Sequence, residues 1–219
     1  VKIIKARELW SKLLNARAET GEPYIVNIDN CNDALPQGQK DLGLEVKQSN
    51  LCSEITLPTN DERTAVCCLS SVNLEHFDEW SKDDKFIDDL VTMLDNVLEH
   101  FIENAVDLNS LGGYNANYER FKKHIKEGKE GFTKAAYSAY RERSIGLGAM
   151  GFHSYLQNQN ISFEGIFSTG INYKLFKFIK GAAVLASRRL AVLRGEAPDI
   201  SNSGLRNCHL LAVAPNASS

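Results

Sequence analysis

Apolar residues recur at helical spacing over three stretches of the chain. Ile3, Ala6, Leu9, Trp10, Leu13 and Leu14 form the first stripe and predict an amphipathic helix over about residues 3–19. Thr20-Gly21-Glu22-Pro23 then stops it with a left-handed-tolerant Gly and a following Pro. Phe86, Leu90, Leu94, Val97, Leu98, Phe101, Ile102 and Ala105 predict a long helix over residues 85–107. Ile171, Leu175, Phe178, Ile179, Ala182, Leu185, Ala186 and Leu190 predict a second over residues 169–194. Two shorter helices are expected near 118–126 and 134–143. Strands are expected at 24–29, at 64–72 and within 205–214, where β-branched, aromatic and apolar residues cluster. Asn30-Cys31-Asn32-Asp33 reads as a turn, and residues 109–117, with Gly112-Gly113, as a loop. Strands alternating with long helices predict an α/β fold with parallel strands.

One stretch breaks the pattern. In Gln48-Ser49-Asn50-Leu51-Cys52-Ser53-Glu54-Ile55, a thiol stands between a carboxamide and a carboxylate, each one residue apart. In an extended strand or finger-like loop, Asn50, Cys52 and Glu54 would share one face, with Leu51, Ser53 and Ile55 on the other. Pro58 would end any ladder there by removing a backbone donor. A free cysteine is ordinarily a small buried hydrophobe. Burying this one would desolvate an acid and an amide with it, which points instead to a site. Cys67 and Cys68 are adjacent in the second predicted strand, so they should face opposite sides, and only one can address a site shared with Cys52.

Composition narrows the classes. At 219 residues the chain can build one substantial core, and 43% apolar with 24% charged residues is ordinary for a globular protein. A net charge of -3, without long runs, leaves no electrostatic footprint for nucleic acid. No apolar run reaches the roughly 18 uncharged residues of a membrane span. Five cysteines at irregular spacing argue against a secreted disulfide framework and for a reducing cytoplasm. Cys31 has no partner at metal-binding spacing and reads as a packing residue. His100 reads as a solvated or core-edge side chain, and Lys180, Arg188, Arg189 and Arg194 as a solvated or helix-end charge set. Gly146-x-Gly148-x-x-Gly151 matches a dinucleotide fingerprint as a bare pattern, but no acidic residue follows at the required distance and no clear βαβ unit encloses it. Those glycines are expected to permit close packing. Pro215-Asn216-Ala217-Ser218-Ser219 follows the last strand, and such a small-residue loop offers backbone N–H groups and hydroxyls to a phosphate.

The segment Gln48 to Ile55, followed by Cys67-Cys68-Leu69-Ser70-Ser71-Val72-Asn73-Leu74, closely resembles the catalytic segment of the class I ribonucleotide reductase large (alpha) subunit, most of all its bacteriophage branch. Tyr24-Ile25-Val26-Asn27-Ile28-Asp29, Arg143-Ser144-Ile145-Gly146-Leu147-Gly148 and the terminal Ala214-Pro215-Asn216-Ala217-Ser218-Ser219 continue the resemblance in the family's order. Glycyl-radical and cobalamin-dependent relatives share a barrel and a finger cysteine, but the string through Cys67-Cys68-Leu69-Ser70 favours class I.

The resemblance implies about half of a ten-stranded α/β barrel, with a finger loop carrying Cys52 into its centre. Residues 1–219 would form one partial domain, the central portion of that barrel, without the N-terminal regulatory part and the C-terminal barrel half. The implied reaction replaces the 2'-hydroxyl of a ribonucleoside diphosphate with hydrogen. Cys52 would be the thiyl radical, Glu54 the general base on the 3'-hydroxyl, Asn50 the amide holding the reacting hydroxyls, and Cys67 one half of the reducing dithiol. Asn50, Leu51, Cys52, Ser53 and Glu54, with Pro215, Asn216, Ala217, Ser218 and Ser219 around the diphosphate, would bind substrate. Tyr137 and Tyr140 do not match the family's adjacent radical-relay pair. No cofactor or metal is expected on this segment itself. The radical would come from a metal-containing small (beta) subunit, and nucleotide effectors would bind elsewhere. Implied partners are the remaining pieces of the large subunit, a second large subunit, the small subunit, and thioredoxin or glutaredoxin, with neither nucleic acid nor membrane. Location would be cytoplasmic, in the host if phage-encoded. The alternative is a catalytically inactive nucleotide-binding or assembly fragment of a split reductase.

Overall fold

The computed structural model describes residues 3–113 and 115–216. Its centre is a parallel pair of short strands, β1 (Leu69–Asn73) and β2 (Gly146–Met150), in register from Leu69 opposite Gly146 to Asn73 opposite Met150. A third extended run lies along the other edge of β2, bridging Leu147 to Leu211 in parallel. It is held by Ile145 N–H to His209 O at 3.0 Å, Leu147 N–H to Leu210 O at 2.9 Å and Ala212 N–H to Leu147 O at 3.3 Å. Parallel neighbours need long crossovers. The first crossover contains helix α5 (Phe86–Ala105) and the second helix α9 (Ile166–Arg194).

These two helices pack on each other and on the strands, and they carry the core. The buried face of α5 is Ile87, Val91, Leu94, Leu98, Ile102 and Ala105, one residue round from part of the predicted stripe, and Val97 is exposed. In α9 the inner face is Leu175, Ile179, Ala183, Ala186 and Leu190, while Leu185 is exposed. In both helices apolar residues are numerous enough to make two overlapping stripes, and the neighbouring elements decide which is covered. Shorter helices fill the crossovers: α4 (Phe77–Trp80), α6 (Tyr118–Lys123), α7 (Thr133–Glu142) and α8 (Phe152–Asn158).

The N-terminal part differs more from expectation. Helix α1 (Ala6–Thr20) forms and ends at Gly21 with φ +81°, as its sequence predicts. None of its residues is buried, so the apolar stripe with Leu9, Trp10 and Leu14 has no cover within the described residues. The predicted strand over 24–29 does not form. Among the described residues, 24–27 pair with nothing in a ladder, and Ile28–Asp33, including the expected turn, is helix α2. Lacking a neighbouring strand, β-branched residues there have no ladder to join. A short α3 (Gln37–Asp41) follows and packs against the 3-10 turn at Pro198–Ile200. The strand expected over 64–72 begins only at Leu69, and the one within 205–214 is an irregular edge run. No helix among the described residues is long and apolar enough to cross a membrane.

Two of the three fingerprint glycines sit inside β2 rather than after it. A Cβ on Gly148 would stand 2.5 Å from Ala212 O, and one on Gly146 would stand 2.4 Å from Leu69 Cδ2. They let the third extended run and β1 close on β2, which is a packing role and no nucleotide cradle.

Candidate active site

Asn50 to Ser53 is a tight turn, not an extended strand. Ser53 N–H donates to Asn50 O at 3.1 Å, Ser53 has φ +67°, and Ile55 N–H donates to Asn50 Oδ1 at 3.0 Å. The Asn50 carboxamide closes the turn on itself, as short amide side chains do. This overturns the expected one-face alternation of Asn50, Cys52 and Glu54. Leu51, Cys52 and Ser53 form the exposed tip, with Leu51 89% accessible. The chain then dives, so Glu54 is half-buried and Ile55 and Leu57 are buried.

The turn nevertheless brings the predicted groups together. The Cys67 thiol is pushed up by burial first, then by the Glu54 charge and by Cys52. Cys67 is exposed at the mouth of β1, whereas Cys68 is buried and donates its thiol to Leu94 O at 3.4 Å. Burial and then Asp95 push Cys68 up to about 11. The two adjacent thiols therefore point to opposite sides, with Cys67 on the side of Cys52. A thiol held high stays as S–H at neutral pH, which suits a hydrogen donor better than a nucleophile.

The predicted phosphate loop is described only at Pro215 and Asn216. Ala217, Ser218 and Ser219 lie outside the described residues. Asn216 Nδ2 donates to Ser71 Oγ at 3.1 Å, to Ala149 O at 3.3 Å and to Ala214 O at 3.2 Å. This amide pins the start of the loop across the two strands, at Ser71 of β1 and Ala149 of β2.

Behind Glu54 lies a set of polar residues that the pattern of the sequence did not single out. Glu54, Thr56, Ser144 and His209 line a cavity of about 50 Å³ whose other walls are apolar. Ser144 Oγ lies 3.0 Å from His209 Nδ1 and 3.3 Å from Glu142 Oε2. Enclosure drives His209 down to about 4, so its ring is neutral. Burial, only partly offset by Arg63, pushes Glu142 up to about 8. Arg63 is already held by Asp199, at 2.5 and 3.0 Å, and Arg141 adds a bond to Asp199 at 2.8 Å. His209 alternates with apolar neighbours in an edge run, and that was its one signal in the sequence. Among the described residues, no group of three or more His, Cys, Asp or Glu is placed to hold a metal ion.

The family description "Ribonucleotide reductase, barrel domain" matches residues 1–202. The ribonucleoside-diphosphate reductase large subunit of Invertebrate iridescent virus 3 is 47% identical over 216 residues, covering 99% of this chain and 31% of that one. A putative large subunit of Frog virus 3 (isolate Goorha) is also 47% identical over 216 residues, covering 99% and 34%. The solved alpha subunit of an Actinobacillus ureae class Id ribonucleotide reductase superposes with a TM-score of 0.82 at 36% identity, over 97% of this chain and 36% of that chain. The chain thus spans about a third of the length of these two viral relatives.

Proposed function

Because this chain belongs to the ribonucleotide reductase barrel-domain family, we propose that it carries the radical chemistry of a class I ribonucleoside-diphosphate reductase large subunit. Cys52, at the tip of the turn, removes the 3'-hydrogen of the ribose as a thiyl radical, becoming S–H. Glu54, next to it, takes the 3'-hydroxyl proton as the 2'-hydroxyl leaves as water. Asn50 holds the reacting hydroxyls. Cys67 and a second thiol from outside this segment give one proton to the departing 2'-hydroxyl, one hydrogen atom to C2' and one electron to the 3'-carbonyl, and become a disulfide. Glu54 returns its proton to the 3'-oxygen, and Cys52 returns its hydrogen to C3', leaving the thiyl again. The substrate diphosphate lies at Pro215, Asn216, Ala217, Ser218 and Ser219, with Leu51 and Ser53 at the rim.

The observation that carries this reading is the convergence of Cys52, Glu54 and Cys67 at one end of the parallel pair, with Cys67 feeling both of the others. A thiol kept protonated between a base and a second thiol fits a hydrogen and electron donor. On this reading the radical arrives from a metal-containing small subunit, the dithiol is reset by thioredoxin or glutaredoxin, and the protein works in the cytoplasm as a dimer of large subunits. The apolar stripe of α1, uncovered among the described residues, suits packing against the remaining pieces of the large subunit. The test is to combine this chain with those pieces and a radical-generating subunit and to assay deoxyribonucleoside diphosphate formation. Turnover that vanishes when this chain is omitted supports the reading. Nucleotide binding without turnover in the full mixture overturns it in favour of an assembly role.

A further inference from the structure

Glu54 Oε2 is buried and has no hydrogen-bond partner among the described residues. A buried carboxylate oxygen left in that state costs free energy, so a partner is expected. The cavity it borders has about 50 Å³, and one water needs only about 10–15 Å³ together with two to four polar partners. Glu54, Thr56, Ser144 and His209 are the polar residues that line it.

We propose that His209 is the positioning residue of Glu54, reaching its carboxylate through a water held in this cavity, and that Ser144 and Glu142 fix the proton on the imidazole. The proposal rests on the reading of Glu54 as the proton-transferring group of the reaction.

The direction of the line follows from proton counting. The Ser144 hydroxyl has one proton, and it stands 3.0 Å from His209 Nδ1 and 3.3 Å from Glu142 Oε2. Below about pH 8 Glu142 is neutral, so its own O–H serves Ser144 and the serine proton goes to Nδ1. The remaining imidazole proton then sits on Nε2 and is offered to the cavity. Donors aimed at a carboxylate favour its charged form, so the pH profile of turnover reads the loss of this donor. When Glu142 ionises, Ser144 turns to it, the imidazole proton moves to Nδ1 and the donor is withdrawn. No bond other than O–H and N–H changes. The groups facing this line are Cys52 and Cys67 beside Glu54, Cys68 in the cavity wall, and Arg63, Asp199 and Cys208 around Glu142.

The test uses the reconstituted reductase and, separately, the chain itself. His209→Ala should leave KM within about twofold, lower kcat about tenfold at neutral pH, and move the acid limb of the kcat profile to higher pH by about one unit, the size of one charge-assisted hydrogen bond. His209→Gln, whose side-chain N–H can replace Nε2–H, should restore most of the rate and the original limb. In the chain alone, ¹³C-labelled glutamate should show the Glu54 carboxyl resonance at neutral pH displaced in His209→Ala and in Ser144→Ala relative to the parent. An unmoved limb and an unmoved Glu54 resonance, or a Gln variant as impaired as Ala with equal thermal stability, overturns the proposal. If the parent mixture lacks reductase activity but the Glu54 resonance moves, the coupling stands and the reductase reading falls.

Discussion

Arg63 sets two guanidinium nitrogens against the Asp199 carboxylate, at 2.5 and 3.0 Å, although 136 residues separate them. Both are buried, and Arg141 shares the same carboxylate at 2.8 Å. The bond ties the loop that follows the Cys52 turn to the turn that precedes the third extended run. Asp199→Ala should therefore remove the carboxylate that Arg141 and Arg63 share, leaving Arg63 with Glu142 at 3.5 Å, and cost about 3–5 kcal/mol. Chemical denaturation of the chain measures it, and a loss below about 1 kcal/mol would mean water replaces the carboxylate.

The two vicinal thiols should react very differently. Brief iodoacetamide treatment of the native chain, read by peptide mass, should modify Cys52 and spare Cys68, which is buried and held at about 11. Cys67 should react more slowly than an ordinary exposed thiol, because Glu54 and burial keep it protonated. Cys67→Ser should block dithiol-driven turnover, whereas Cys68→Ala should cost stability of about 1 kcal/mol, the scale of a small core change. Loss of turnover in Cys68→Ala alone would reverse the assigned facing.

In the reconstituted reductase, Cys52→Ser should abolish deoxynucleotide formation while substrate affinity stays within a few-fold, since a hydroxyl cannot serve as the thiyl. Glu54→Gln should lose the base and keep the shape, with kcat down about 10²–10⁴-fold and KM little changed. Steady-state assays of both variants decide this, and measurable turnover by Cys52→Ser would refute the assignment.

Stability should depend on pH through Glu142 and His209 in opposite senses. Glu142 rises from 4.5 to about 8 on folding, so the folded chain binds more protons and its contribution is full below 4.5 and lost as pH rises through about 8. His209 falls from 6.5 to about 4, so its contribution is full above 6.5 and lost as pH falls towards about 4. Between about 4.5 and 6.5 the two offset each other, and above 6.5 only the Glu142 decline remains. Its slope is at most about 1.4 kcal/mol per pH unit. Unfolding free energies from pH 4 to 9 test this: Glu142→Gln should flatten the upper decline, and His209→Asn should extend that decline to lower pH.

Gly148→Ala places a methyl 2.5 Å from Ala212 O and should push the third extended run off β2. Hydrogen exchange at the Ala212 and Leu147 amides should accelerate by more than about tenfold if the local opening cost falls by about 1.4 kcal/mol. Unchanged protection there would mean the run shifts without parting.

The sequence by itself determined the long helices, because an apolar stripe at helical period and a Gly stop are local signals: α1 ends at Gly21, and α5 and α9 stand where their stripes lie. It also pointed to the family, since the string around Asn50, Cys52, Glu54 and Cys67 resembles a reductase segment without any coordinates, and the ribonucleotide reductase barrel-domain description matches residues 1–202. Strands were less legible, because a strand exists only by pairing. Residues 24–27 carry strand-forming side chains and find no neighbour, while the run at 209–212 pairs because Gly146 and Gly148 leave it room. Only the tertiary structure decided that Asn50 folds its own turn, that Cys67 rather than Cys68 faces Cys52, and that His209, 155 positions beyond Glu54, lines the same cavity. The last two bring together residues far apart in the chain, the first depends on a side chain closing on its own backbone, and no periodicity along a sequence encodes them.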